Sequence, residues 1–332
     1  MEYLLLIAGL LLILGGANFL TDGASALAKR FGISDLVVGL TVVAFGTSAP
    51  ELTISVISAV QGNTGIAIGN VVGSNILNIL LIIGAVALAR PIKVEKGIMS
   101  NEIPLVILSS LALAAMRCAP WLDNAEAEIS RVDGILLLLF FAIFMRYVFS
   151  QAKAAIPDSV SDNVALTVDA GEKGSKGKGC MPLWRSVVFV VGGLAALIYG
   201  GDLFVDNASA IASTLGVGDA IIGLTIVALG TSLPELATSL TAAIKGNSSM
   251  AIGNVIGSNI FNAFMVLGAA ATVRPLQFGG IGMVDMAVLV GSSLLFWLFG
   301  WLFGHRTITR GEGVFMLLCY AGYMAYLIMA SV

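Results

Sequence analysis

The sequence predicts an all-α integral membrane protein with ten transmembrane helices in two inverted five-helix repeats and broken helices at the centre. Three observations support this prediction. Of the 332 residues, 58% are hydrophobic and 11% are charged, and the mean hydropathy is +0.98, whereas a soluble domain carries about 25% charged residues. The apolar residues form ten runs long enough to cross a bilayer. The two halves of the chain share a closely similar segment.

This composition excludes several classes of protein. So much apolar surface cannot be buried in a water-soluble enzyme of this size, and a net charge of −3 leaves no basic face for nucleic acid. Cys118, Cys180 and Cys319 lie far apart without metal or disulfide spacing, and we interpret them as free thiols. The run Leu4–Leu20 follows Glu2 and no basic residue, which predicts a retained first helix and not a signal peptide. The sequence predicts no cofactor and no protein partner, only a lipid bilayer around the chain.

The ten runs define the predicted helices in chain order. Polar residues, Gly and Pro separate them at 3–22, 36–60, 66–89, 102–118, 133–150, 185–206, 220–244, 250–273, 283–304 and 313–330. A hydrophilic stretch rich in Gly, Lys and Ser follows the fifth run, and its composition is typical of a flexible linker. The predicted organisation is therefore a first repeat at 1–150, a cytoplasmic linker at 151–184 and a second repeat at 185–332.

An internal repeat relates the two halves. A shift of 184 residues aligns 39–91 with 223–275 without a gap, and about 30 of the 53 positions are identical. Five helices per copy is an odd number, so the second copy would enter the membrane in the opposite orientation. With both termini outside, 14 of the 17 Lys and Arg residues lie in inner loops and 3 in outer loops, as the positive-inside rule expects.

The segment Gly-Thr-Ser-x-Pro-Glu occurs in the second and seventh helices, at 46–51 and 230–235. Proline removes a backbone donor and weakens the helix before it, which frees carbonyl groups near Ala44 and Ala228. A broken helix is tolerated in a membrane only where it lines a polar cavity. Glu51 and Glu235 lie at these breaks, and an acid inside a membrane helix indicates function.

Neighbouring polar residues fall on the same helical faces as the two acids. They offer only oxygen donors, which favours hard cations such as Ca²⁺ and Na⁺. Serine and asparagine four residues apart share a face in the third and eighth helices. The predicted ligands beside Glu51 and Glu235 are the side chains of Thr47, Thr231, Ser48, Ser232, Ser74, Ser258, Asn78 and Asn262. Asn70, Asn75, Asn254 and Asn259 are expected to hold the bundle together or to cap helices.

These two segments, each followed by Gly-Asn-x-x-Gly-Ser-Asn-Ile-x-Asn, resemble the α-repeats of the Ca²⁺/cation antiporter superfamily, most closely the prokaryotic Na⁺/Ca²⁺ exchangers. The resemblance implies a ten-helix inverted-repeat fold with four clustered cation sites, and first and sixth helices that slide to switch access. It implies that Glu51 and Glu235 are shared ligands for Ca²⁺ and Na⁺. The implied further ligands are carbonyls of Ala44 and Ala228, carbonyls and hydroxyls of Thr47 and Thr231, and, for two flanking Na⁺ sites, Ser48, Ser74, Ser232 and Ser258.

Asn262 departs from the pattern of the family. Many of these exchangers carry aspartate at this position. The resemblance implies that the K⁺-dependent members rely on an acid there. The asparagine argues against K⁺ co-transport and leaves two carboxylates at the centre.

Other functions remain as alternatives to Na⁺/Ca²⁺ antiport. Protons could neutralise the same carboxylates, which would give H⁺/Ca²⁺ or another divalent-cation exchange. A cation channel is disfavoured because paired broken helices in an inverted repeat are typical of alternating access. No enzyme activity is expected, since the sequence has no HExxH motif and a single histidine, His305, near a predicted helix end.

Overall fold

The structure is a computed structural model that describes residues 1–118, 127–154, 181–215, 228–302 and 306–331. Eight helices among these residues are long and apolar enough to cross a membrane, and a bent pair raises the number to nine. The prediction of an all-helical, multi-pass membrane protein is thereby confirmed. Part of the predicted seventh helix, residues 220–227, and most of the predicted linker, residues 155–180, lie outside the described residues.

The described helices follow the predicted order. In the first half they are α1 (Glu2–Phe31), α2 (Asp35–Thr47), α3 (Ala49–Gln61), α4 (Thr64–Ala89), α5 (Ile98–Arg117) and α6 (Arg131–Ala154). In the second half they are α7 (Leu183–Thr214), α8 (Ala228–Thr231), α9 (Leu233–Ile244), α10 (Ser248–Val273), α11 (Met283–Leu302) and α12 (Arg310–Ser331). Helices α6 and α7 each extend a few residues into the predicted linker.

Helices α4 and α10 form the centre of the bundle. In the apolar stretches of α4 and α10, 78% and 94% of the residues are buried, against 33% in α1 and 17% in α12. These two helices contain the most closely repeated part of the sequence. The repeated residues therefore lie in the core, and the outer helices present apolar side chains such as Leu11 and Phe315 at the exposed surface.

Helices α1 and α7 are longer than predicted. Their apolar runs were expected to end near residues 22 and 206, but the helices continue to Phe31 and Thr214. The two helices lie side by side with glycines at the contact, where a Cβ on Gly193 would be 2.6 Å from the backbone nitrogen of Leu20. The pairing runs from Gly9 beside Gly200 to Gly23 beside Ser186, so the last turns of α1 extend past the start of α7. Helix α1 ends at Gly32, which has a φ of 66°.

The predicted helix 36–60 is two helices with a bend of 47° between α2 and α3. The break lies at Ser48, which has φ −88° and ψ 10°, and Pro50 occupies the first turn of α3. Ser232 separates α8 from α9 in the same way, with φ −95° and ψ 6°. The break precedes the proline because the first turn of a helix accepts a residue without an N–H donor.

Several local features were not predicted. Segments of π-helix occur within α2, α4, α5 and α10, at Gly39–Val43, Asn78–Ile83, Ile98–Glu102 and Phe261–Val266. Two antiparallel pairs of short strands connect helix ends. In these pairs β1 (Ile92–Lys93) lies beside β4 (Thr307–Ile308), and β2 (Glu128–Ile129) lies beside β3 (Leu276–Gln277). The π-helices in α4 and α10 contain the predicted ligands Asn78 and Asn262, and π-bulges are frequent at functional sites.

Candidate cation site

The two helix breaks bring polar side chains into the centre of the bundle. Glu51 and Glu235 each begin a helix just after a break, and both are 1% exposed. Ser48 and Ser232 stand at the breaks themselves and are equally buried. Ser48 contacts Glu235 and Ser232 contacts Glu51, so the two breaks face each other. This geometry is consistent with the shared ligand role that the family resemblance implies for Glu51 and Glu235.

Glu235 is contacted by residues of both copies. The hydroxyl of Ser48 donates a hydrogen bond of 2.7 Å to Oε1 of Glu235. The same hydroxyl lies 2.8 Å from Oγ of Ser258, which in turn lies 3.5 Å from Oε1 of Glu235. These three side chains form one compact group of oxygens from α9, α10 and the α2–α3 break.

The equivalent group surrounds Glu51. The hydroxyl of Ser232 lies 3.4 Å from Oε1 of Glu51 and 3.3 Å from Oγ of Ser74. Each carboxylate is therefore paired with the serine of the opposite copy, an arrangement that we call the crossed pairs (Ser48 with Glu235, Ser232 with Glu51). Oε2 of both glutamates is buried without a hydrogen-bond partner in the described part of the chain. Two unshared carboxylate oxygens thus remain to bind a cation.

Asparagines of α4 and α10 hold the backbone behind both acids. Nδ2 of Asn70 donates to the carbonyl of Glu51 at 3.2 Å and to Ser55 at 3.0 Å. Nδ2 of Asn254 makes the same two contacts with the carbonyl of Glu235, at 3.4 Å, and with Ser239, at 2.9 Å. These contacts fix the first turns of α3 and α9, which carry the acids.

The remaining asparagines meet between α4 and α10. Asn75 and Asn259 each donate to the other's backbone carbonyl, at 3.3 and 3.4 Å, and Asn78 donates to Oδ1 of Asn259 at 2.9 Å. Neither polar atom of the Asn262 side chain has a hydrogen-bond partner in the described part of the chain, although the residue is 1% exposed. An unsatisfied buried amide costs about 1–3 kcal/mol, which a bound cation at Oδ1 would offset.

The predicted carbonyl ligands lie in the last turn before each break. The carbonyl of Ala44 accepts the N–H of Ser48 at 3.0 Å, so it keeps one lone pair for another donor or a cation. Oγ1 of Thr47 lies 3.4 Å from this carbonyl and 3.3 Å from Oδ1 of Asn254. Thr231 ends α8, and Ala228 begins it. The ligand roles of these residues stay predictions.

Ser55 and Ser239 are polar residues of the site that the sequence reasoning missed. Each lies four residues after its glutamate, on the same helical face, and is fully buried. Their identity in both copies was the available signal. They contact Asn70 and Asn254 and lie behind the carboxylates.

The donor set of the site is oxygen alone. No group of three or more His, Cys, Asp or Glu residues that could hold a metal occurs in the described ranges. Two carboxylates, four serine hydroxyls and amide oxygens suit Na⁺ or Ca²⁺, which bind such oxygens without requiring nitrogen or sulfur. A multi-pass helical fold around a buried oxygen site with two acids is typical of secondary cation transporters.

Comparison with known proteins agrees with this class. The sodium/calcium exchanger protein family matches residues 1–150 and 185–329. The inner membrane protein YrbG of Escherichia coli is 34% identical over 98% of this chain and 95% of its own length. The sodium/calcium exchanger MaX1 of Methanosarcina acetivorans is 31% identical over 98% of both chains. A solved structure of the sodium-calcium exchanger NCX_Mj, soaked with 10 mM Na⁺ and zero Ca²⁺, matches with a TM-score of 0.81, 33% identity and 98% coverage of both chains.

The chain belongs to the sodium/calcium exchanger protein family. The resemblance seen in its repeated motifs is thereby confirmed. The family is a class of transporters and not of enzymes, and one relative of this chain is named as an inner membrane protein.

Proposed function

We propose that the protein exchanges Na⁺ for Ca²⁺ across the cell membrane by alternating access. The crossed pairs carry this proposal, because they place both acids of the duplicated motif in one buried oxygen site. The names of the relatives favour Na⁺ over H⁺ as the coupling ion and an exchanger over a channel. Transported Ca²⁺ and Na⁺ are the substrates, and no resident cofactor is proposed.

The charge of the site supports obligatory exchange. One Ca²⁺ or two Na⁺ neutralise two carboxylates, whereas an empty site with both acids ionised is strongly disfavoured in a low-dielectric interior. Only loaded forms then pass between outward and inward states. An exchange of three Na⁺ for one Ca²⁺ would move one net charge, which couples transport to the membrane potential by about 2.3 kcal/mol per 100 mV.

The proposed ligands are those predicted from the sequence. Glu51 and Glu235 serve both ions through their unpartnered Oε2 atoms. The other ligands of the bound cations are side chains or carbonyls of residues at the breaks and in α4 and α10. These are Ala44, Thr47, Ser48, Ser74, Asn78, Ala228, Thr231, Ser232, Ser258 and Asn262.

We propose ten spans, with two inverted halves at 1–150 and 185–332, the linker 151–184 inside and both termini outside. Equivalent contacts in the two halves support this organisation. A Cβ on Gly62 would lie 3.0 Å from the guanidinium of Arg274, and one on Gly246 would lie 3.0 Å from that of Arg90, at positions related by the 184-residue shift. Lys245, on the proposed inner side, forms an ion pair of 2.7 Å with Asp22, whereas the aligned residue on the outer side is Gln61.

A flux measurement tests the proposed function. Purified protein in proteoliposomes should take up ⁴⁵Ca²⁺ when a Na⁺ gradient directed outward is imposed. A K⁺ or choline gradient of the same size should give no uptake, and a proton gradient serves as the separate test of H⁺ coupling. Equal uptake with all four gradients would contradict Na⁺/Ca²⁺ exchange.

Asn262→Asp should make Na⁺-driven Ca²⁺ flux strongly dependent on pH. The substitution adds a third carboxylate where the amide now has no partner, so one Ca²⁺ no longer neutralises the site. We expect flux at neutral pH about tenfold below that of the unmodified protein, since about 1.4 kcal/mol of uncompensated charge suffices for this change. Protonation removes the added charge, so the ratio of variant to unmodified flux should rise as the pH falls. A ratio that stays constant with pH would contradict the charge count.

A further inference from the structure

Polar contacts join α1 to the turn between α9 and α10. Nζ of Lys245 lies 2.7 Å from Oδ1 of Asp22 and donates to the carbonyl of Asn18 at 3.2 Å. Nδ2 of Asn247 donates to Oγ of Ser25 at 3.2 Å. We call Asp22, Ser25, Lys245 and Asn247 the inner clasp, because the turn between α9 and α10 lies inside in the proposed topology. The proposed exchange mechanism does not yet use these residues.

In the described part of the chain, the equivalent contacts are absent at the outer face. The 184-residue shift gives three residues of the inner clasp identical counterparts, Asp206, Ser209 and Asn63, and replaces the lysine with Gln61. The hydroxyl of Ser209 is buried without a hydrogen-bond partner among the described residues, whereas that of Ser25 accepts from Asn247. Helix α1 packs along α9, but across the described ranges α7 does not pack along α3 in the same way. Since the residues are alike, the two halves differ in conformation.

This difference makes the inner clasp a contact of one transport state. Alternating access in an inverted repeat is largely a rocking of one part against the other, and the symmetry of the repeat defines the opposite state as the one in which the halves exchange conformations. In that state α7 would lie along α3 and α1 would leave α9. Helices α1 and α7 pack closely through glycines, so they would move together. Asp22 would then separate from Lys245.

We propose that the inner clasp is a latch that biases the exchanger toward the state closed at its inner face. The inference rests on the proposed function and topology. A contact made in one state alone stabilises that state, and the outer counterpart lacks the ion pair because Gln61 is neutral. The side chains of Lys245 and Asp22 are 31% and 50% exposed, and the inner clasp lines a polar cavity of about 620 Å³. A partly exposed ion pair of this kind should shift the equilibrium about threefold.

Lys245→Gln tests the latch by placing the outer residue at the inner position. ⁴⁵Ca²⁺ uptake driven by trapped Na⁺ is measured in right-side-out vesicles, where Ca²⁺ meets the outer face, and in inverted vesicles, where it meets the inner face. The half-saturating Ca²⁺ concentration at a face varies inversely with the population of the state open to that face. The ratio of the inner to the outer half-saturating concentration should therefore fall about threefold in the variant.

Three further variants separate the latch from a general effect of charge. Gln61→Lys should also lower the ratio, because the new ammonium would meet Asp206 when α7 lies along α3. Lys93→Gln removes the same charge from the lining of the same cavity, outside the inner clasp, and should leave the ratio unchanged. Exchange of the two charges, Asp22→Lys with Lys245→Asp, should restore the ratio of the unmodified protein.

A distance measurement tests the latch without transport. Spin labels replace Arg30 on α1 and Ser150 on α6, both exposed, in a chain whose three cysteines are changed to serine. In the double variant Lys245→Gln, Gln61→Lys the two effects should add to about ninefold, so a second distance between the labels should gain population. An unchanged ratio in Lys245→Gln, or an unchanged distance distribution in the double variant, would overturn the latch. Absence of Na⁺-driven flux in the unmodified protein, with the change in distance present, would refute the exchange function alone.

Discussion

Replacing Glu51 or Glu235 with glutamine should abolish Na⁺-driven Ca²⁺ flux in each single variant. Glutamine keeps the size of the side chain and removes its charge. A unit charge about 4 Å from a cation contributes about 4 kcal/mol at an effective dielectric constant near 20, which corresponds to about a thousandfold in affinity. Both variants should fail equally, because the crossed pairs make the two acids parts of one site. Proteoliposome flux with ⁴⁵Ca²⁺ measures this effect.

Glu102→Gln is the matched control for these two variants. Glu102 is also 1% exposed, and it accepts a hydrogen bond of 2.7 Å from the hydroxyl of Tyr147, outside the cation site. This variant should keep Na⁺-driven flux within about twofold of normal, a change of about 0.4 kcal/mol. All three proteins should insert and elute as the unmodified chain does in detergent. Near-normal flux in Glu51→Gln or Glu235→Gln would contradict a shared site.

Gly193→Leu should separate α1 from α7. Of the substitutions proposed for this protein, it should cause the largest loss of stability. A Cβ at this position would lie 2.6 Å from the backbone nitrogen of Leu20 and 2.8 Å from the carbonyl oxygen of Gly16. A helix backbone cannot yield as a flexible side chain does, so overpacking here should cost about 3 kcal/mol, the upper part of the usual range. The midpoint of thermal unfolding in detergent should fall, and transport should be lost.

The neighbouring residue provides the control for this substitution. Gly192 is exposed, and a Cβ there would meet no atom within 4 Å. Gly192→Leu makes the same change in helix propensity one residue away, so the difference between the two variants reports the crowding alone. If both variants unfold at the same temperature, the close contact of α1 with α7 does not support the fold.

Much of the fold could be predicted because apolar runs and loop residues determine where membrane helices lie. The predicted helices 66–89 and 250–273 differ from α4 and α10 by about two residues at one end. Repetition also predicted that Glu51 and Glu235 act together, since identity at matched places in two copies is independent of composition. The contact of Ser48 with Glu235 agrees with that expectation.

The remaining features depend on contacts between helices that are distant in sequence. The extension of α1 to Phe31 is accompanied by contacts with the other half, such as the hydrogen bond from Asn247 to Ser25, which hydropathy does not report. The helix break lies at Ser48, whereas the sequence signal for a break was Pro50, two residues later.

The crossed pairs have a consequence for the two halves as separate chains. Each half carries an acid whose serine partner is on the other half, so neither half alone contains a complete set of contacts for its own carboxylate. A protein that consisted of one repeat could have formed such a site only as a dimer, with each copy supplying the serine for the acid of the other. Division of the gene within the hydrophilic stretch should accordingly give two inert fragments, whose activity returns when both are synthesised in one cell.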